Sequence, residues 1–111
     1  MNNTLSQKDL QNATELKNQL LSKYGSLIEQ IYCYGSRVYA QKEEDTDFDI
    51  LIITHRKIDW KEERVIYKDI FSFGLDRDIQ FDVKFFSSEE VNHTLRQMPF
   101  LKNVLSYGIA V

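Results

Sequence analysis

Apolar residues recur along this chain in two rhythms. Over residues 6 to 24, Leu10, Ala13, Leu16, Leu20 and Tyr24 fall at three- and four-residue steps, the spacing of one helix face. Ser6 with Asp9 predicts a capping box at its start, and Gly25 a C-terminal stop. Residues 28 to 34, IEQIYCY, read as a strand that runs into Gly35-Ser36. The segment after it, RVYAQKEED, has room for a helical turn or two. Residues 48 to 54, FDILIIT, are apolar on both faces from Ile50 on, as in a central strand covered on both sides. Residues 60 to 73 predict a helix with Val65, Ile66, Ile70 and Phe73 as its buried stripe and Gly74 as its stop. Residues 78 to 86, DIQFDVKFF, alternate as a strand, with Ile79, Phe81, Val83 and Phe85 on one face and Gln80, Asp82 and Lys84 on the other. Ser87 with Glu90 forms a second capping box, opening a helix to about Gln97. Pro99 suits the first turn of a last short helix ending near Gly108. The order helix, strand, strand, helix, strand, helix, helix implies an α+β (mixed α/β) domain with a small mixed sheet.

Length and composition narrow the possibilities. A chain of 111 residues predicts one domain spanning 1–111, with a core but little room for a second module. The hydrophobic fraction of 42% argues against disorder. The longest apolar run, Ile50 to Ile53, is far short of the ~20 residues that span a bilayer. The N-terminus, MNNTLSQKDLQ, shows no signal-peptide pattern. The single cysteine, Cys33, excludes an internal disulfide framework and a cysteine-based zinc site. Together these features predict a cytoplasmic protein. With a net charge of −3, no direct nucleic-acid binding and no membrane association are expected.

The acidity is not evenly spread. Asp47 and Asp49 stand two apart at the start of the central strand, so both side chains fall on one face. Glu43, Glu44 and Asp45 precede them. If the third strand is a neighbour, Asp82 brings a third carboxylate, and such a cluster needs a compensating cation. Oxygen ligands without His or Cys favour Mg²⁺, which is typically held by carboxylates together with substrate phosphates. Gly35-Ser36, at a strand exit, supplies a turn that lets the backbone approach a ligand, plus a hydroxyl and N–H groups for phosphate oxygens. Arg37 and Lys84 add cations. A phosphate cradle beside metal-binding carboxylates fits phosphoryl-type transfer.

The pattern Gly35-Ser36, ten residues, Asp47-Phe48-Asp49 and a later strand Asp82 resembles the minimal nucleotidyltransferases of the DNA polymerase β-like superfamily. The resemblance covers nearly the whole chain and implies the nucleotidyltransferase fold. It implies two Mg²⁺ ions, with Asp47 and Asp49 as ligands and Asp82 binding the catalytic metal and favouring the attacking hydroxyl. Gly35 and Ser36 would hold the triphosphate of ATP or another nucleotide. Many members carry a second glycine where this chain has Ala40, a substitution that bears on loop geometry rather than on the metal site. Short members are often encoded beside a helical HEPN-family toxin. The resemblance therefore implies an antitoxin of a type VII-like pair that transfers AMP to a tyrosine of that toxin. Two alternatives remain: an antitoxin that acts by complex formation without catalysis, and a small-molecule nucleotidyltransferase, for example one acting on an aminoglycoside.

The remaining residues have plainer readings. Cys33 reads as a buried small hydrophobe. His55 and His93 lack ligand spacing, and Trp60 reads as core or rim packing. Phe100 and Leu101 either pack on the sheet or form a partner interface.

Overall fold

The structure, a computed structural model, describes residues 4–39 and 47–111. Helix α1 (Gln7–Tyr24) leads into strand β1 (Ile28–Tyr34), and a short helix α2 (Ser36–Tyr39) follows. Strand β2 (Phe48–Thr54), helix α3 (Trp60–Arg77) and strand β3 (Phe81–Ser87) come next. A single π-helical turn (Glu90–Thr94), helix α4 (Pro99–Tyr107) and strand β4 (Ile109–Ala110) complete the order. The sheet order is β3-β2-β1-β4; β1 runs antiparallel to both its neighbours, and β2 and β3 are parallel.

The double-sided apolar pattern of β2 is explained by its place inside this sheet. Phe48, Ile50 and Ile52 face a core shared with Leu16 and Leu20 of α1 and Ile66 and Ile70 of α3. Leu51 and Ile53 face a second core with Val91, Leu101 and Val104. Burying each such aliphatic chain contributes about 1.5–3 kcal/mol. The sheet is thus a middle layer, and Phe100 and Leu101 belong to the packing on its second face, where Phe100 meets the rings of Tyr34 and Phe86.

Several elements differ from the sequence pattern for identifiable reasons. Helix α3 passes through Gly74 and ends at Asp78, which takes the left-handed conformation (φ 56°). Gly74 is instead a close-approach glycine: a Cβ there would lie 2.3 Å from the carbonyl oxygen of Ile79. Val65 is exposed, and Trp60 is two-thirds exposed rather than packed. Strand β3 starts at Phe81, since Asp78 and Ile79 are used in closing α3. The Ser87–Glu90 box forms, with Glu90 N–H donating to Ser87 Oγ and Ser87 N–H to Glu90 Oε1, but it opens one π-helical turn. Strand β4 was not foreseen; two residues pairing with Tyr32 and Cys33 are too short to show a period. Ser6 caps α1 by accepting from Asp9 N–H, but the Asp9 side chain points elsewhere. Its carboxylate joins the buried Arg37 guanidinium.

Cys33 lies on β1 with no solvent exposure. Burial first, and then the negative charge of Asp9, push its thiol up to about 12. Native protein is therefore expected to resist thiol-directed reagents at pH 8 and to react fully in denaturant, as a colorimetric thiol titration would show. The same shift has a linkage consequence. A neutral-favoured thiol supports the fold below its ordinary pKa, and that support is lost as pH rises from there toward 12.

Candidate active site

The candidate site forms where β1 ends and β2 and β3 begin, side by side. Register places Tyr34 opposite Asp49 and Asp49 opposite Asp82, so three consecutive strands present neighbouring residues on the α4 face. The parallel pairing of β2 with β3 brings the two carboxylates together, as the Asp-x-Asp spacing and the β3 alternation anticipated. Burial raises the pKa of Asp49, and the negative charge of Asp82 raises it further. Lys84 opposes this, while the charge of Asp47 and a hydrogen bond with Asp82 add to it. Asp47 is exposed just ahead of β2 and reaches Asp49 through its field. Lys84 lies two residues beyond Asp82 on the same face, its Nζ 3.7 Å from Asp82 Oδ1.

Gly35 closes the site from the β1 side. Its φ is +82°, and a Cβ built there would lie 2.0 Å from Asp49 Oδ2. Glycine is required twice over, by backbone conformation and by the carboxylate beside it. Ser36, half-buried, is the first residue of α2. A Gly35→Ala variant is expected to lose about 1–3 kcal/mol of stability through strain and displacement of Asp49. Denaturant titration would measure this, and a nucleotide-transfer assay should show a parallel loss.

Arg37 is not part of this cluster, contrary to its expected place beside a phosphate. Its guanidinium is buried on the opposite face of the sheet, 2.8 Å from Asp9 Oδ1 and 5.0 Å from the centre of the Phe48 ring. The pair ties α2, and so the Gly35-Ser36 turn, to the first turn of α1. Asp9 is the residue that sequence reasoning missed. A signal was available: Asp9, Ala13, Leu16 and Leu20 form the buried stripe of α1, so a carboxylate occupies an apolar position. Leu10, one residue over, falls off that stripe and is exposed. Ala40, Glu43, Glu44 and Asp45 lie outside the described residues.

The donor chemistry fits a hard divalent cation. Asp49 and Asp82 offer only oxygen, and their repulsion is a charge defect that such an ion would remove. Among the described residues, no three His, Cys, Asp or Glu side chains gather about one point. The Asp49–Asp82 pair, with Asp47 at its margin, is therefore the acidic feature of the site.

A four-stranded mixed sheet flanked by helices, with acidic residues at its strand ends and a Gly-Ser turn beside them, is a nucleotidyltransferase fold. Residues 8–108 match the model of the polymerase β nucleotidyltransferase family, and the chain belongs to that family. Two crystal structures of mutants of the toxin-antitoxin MntA-HpeT are similar in fold. One has 16% identity and a TM-score of 0.57, covering 87% of this chain and 69% of that chain. The other has 18% identity and a TM-score of 0.58, covering 89% and 70%. Comparison with curated proteins finds no match. Among the described residues, no helix is long and apolar enough to cross a membrane.

Proposed function

We propose that this chain is a Mg²⁺-dependent nucleotidyltransferase that transfers AMP from ATP to a tyrosine of a partner HEPN-family toxin and so acts as its antitoxin. The observation that carries this reading is the Asp49–Asp82 pair held against the Gly35 turn. Family membership supports the reaction class, and the fold shared with MntA-HpeT, a toxin-antitoxin, supports the partner.

In this mechanism Gly35 lets the backbone approach the triphosphate, and Ser36 offers its hydroxyl and N–H to phosphate oxygens. Asp47, Asp49 and Asp82 would hold the divalent ions, whose chemistry is neutralisation of phosphate charge. Asp82 accepts the proton of the attacking hydroxyl at its carboxylate oxygen. The acceptor oxygen bonds to the α-phosphorus as the bond to the pyrophosphate oxygen breaks. Lys84, its Nζ 3.7 Å from Asp82 Oδ1, offsets part of the negative charge of the Asp49–Asp82 pair before the proton is taken up. Residues 1–111 serve as one minimal catalytic domain, and the partner supplies the acceptor.

The test combines purified protein, α-labelled ATP, Mg²⁺ and the product of the neighbouring gene as the candidate partner. Label is expected on a partner tyrosine, identified by mass spectrometry. No transfer, or equal transfer by the Asp47→Asn, Asp49→Asn double variant, would overturn the proposal.

A further inference from the structure

Strand β3 is an edge of the sheet, and its outer side is open among the described residues. Phe48 N–H donates to the Gln80 carbonyl at 2.8 Å, which sets the phase of the β2–β3 ladder. In such a ladder a residue's N–H and C=O point to the same side, and successive residues alternate. Gln80, Asp82, Lys84 and Phe86 therefore direct their groups to β2, while Phe81, Val83 and Phe85 direct theirs outward. Ser87, next in the outward set, gives its N–H to Glu90 Oε1 and ends the open stretch.

Beside this edge lies a groove of about 490 Å³ between β3 and the N-terminal half of α3, walled by Trp60 and Tyr67 opposite Val83, Lys84 and Phe85. Trp60 and Tyr67 begin an exposed stripe that Phe71 and Leu75 continue at helical spacing, with Arg64 among them. These four large apolar side chains are 66%, 42%, 54% and 67% exposed. They lie on a different side of α3 from its buried stripe of Ile66, Ile70 and Phe73. An open backbone edge and an apolar helix stripe thus form one continuous surface.

We propose that this surface is a self-association face, on which a second copy of the chain docks its own β3 antiparallel in the register that pairs Val83 with Val83. The strand's charges select that register. A two-fold antiparallel pair must be centred on one residue. Centring on Asp82 opposes two carboxylates, and centring on Lys84 opposes two ammonium groups. Centring on Val83 sets Asp82 of each copy opposite Lys84 of the other, in the closely spaced pairs where side-chain charge acts most strongly. The same register exchanges backbone hydrogen bonds between the outward groups of Phe81 and Phe85. The two-fold axis also brings α3 beside α3 of the second copy, antiparallel, so the Trp60–Leu75 stripes cover each other. Each copy then adds a lysine beside the other's Asp82.

Sedimentation equilibrium on the full chain across the micromolar range tests this, with circular dichroism to confirm folding. The expected species has twice the chain mass. Lys84→Glu is expected to weaken association about tenfold or more, and adding Asp82→Lys to restore it, because the swap re-forms the opposite-charge pairs. Val83→Pro removes an outward N–H and none directed to β2, so it should yield folded monomer. Phe71→Arg should do the same from the helix side. A monomer at every concentration overturns the proposal, as does a dimer indifferent to Lys84→Glu and Phe71→Arg. It is also overturned if the chain alone stays monomeric and the β3 amides gain hydrogen-exchange protection only when a different protein is added.

Discussion

Asp49→Asn is expected to reduce nucleotidyl transfer by roughly 10³-fold or more, about 4 kcal/mol of transition-state stabilisation, while leaving the fold intact. Asparagine keeps the shape and one oxygen but removes the charge that would hold a divalent ion against the phosphates. Because Asp49 is set between Gly35 and Asp82, no other described carboxylate occupies its place in the row. Stability should move the other way. Burial, and the charge of Asp82, raise the pKa of Asp49, so its stabilising contribution is present at low pH and lost as pH rises through the carboxylate range. At neutral pH without metal, the wild type carries a repulsion that the variant lacks. Thermal melts in chelator are therefore expected to show the variant at least as stable as wild type. Adding Mg²⁺ should raise the wild-type Tm and not the variant's. A variant that melts well below wild type in chelator would contradict this account.

Arg37→Ala is expected to cost about 3–5 kcal/mol of folding stability, as much as truncating a fully buried core side chain. It strands the Asp9 carboxylate, 7% exposed, without its 2.8 Å partner. For a domain of this size the loss corresponds to a fall in Tm of more than about 10 °C. Asp9→Ala removes the same 2.8 Å ion pair from the other side and should also destabilise the fold. The double variant should cost less than the sum, because the two truncations remove one shared ion pair. Denaturant melts of the four proteins measure the coupling. Nucleotide affinity is expected to fall with Arg37→Ala as well, through loosening of the Gly35-Ser36 turn. Lysine at position 37 should restore little, since it lacks the planar group that lies over the Phe48 ring.

The contrast between Asp49 and Arg37 shows how far the chain could be read without its fold. Asp49 and Asp82 were legible because strand period two assigns faces: Asp49 opens a strand that is otherwise apolar on both faces, and Asp82 falls on the polar face of the β3 alternation. Gly35 was legible because glycine at a strand exit has few other uses. Arg37 was misassigned because a cation next to a Gly-Ser turn looks the same in sequence whether it faces a phosphate or a buried carboxylate twenty-eight positions away. Gly74 was misread in the same way: a helix stop and a close-approach glycine share one letter, and only the path of Ile79 past it separates them. Strand β4 carried no periodic signal, because its two residues are held by pairing with β1 rather than by any preference of their own.

The amino-acid sequence by itself determined the order of the longer helices and strands and the two-sided apolar character of β2. It also determined the acidic and Gly-Ser motifs, which follow from local spacing and carry the resemblance to nucleotidyltransferases that the family match over residues 8–108 bears out. Tertiary structure decided which strands are neighbours, which face of the sheet holds the carboxylates, that Arg37 is an anchor on the opposite face, and that β3 is an open edge. Those features depend on contacts between residues far apart in the chain, and local periodicity carries no record of them.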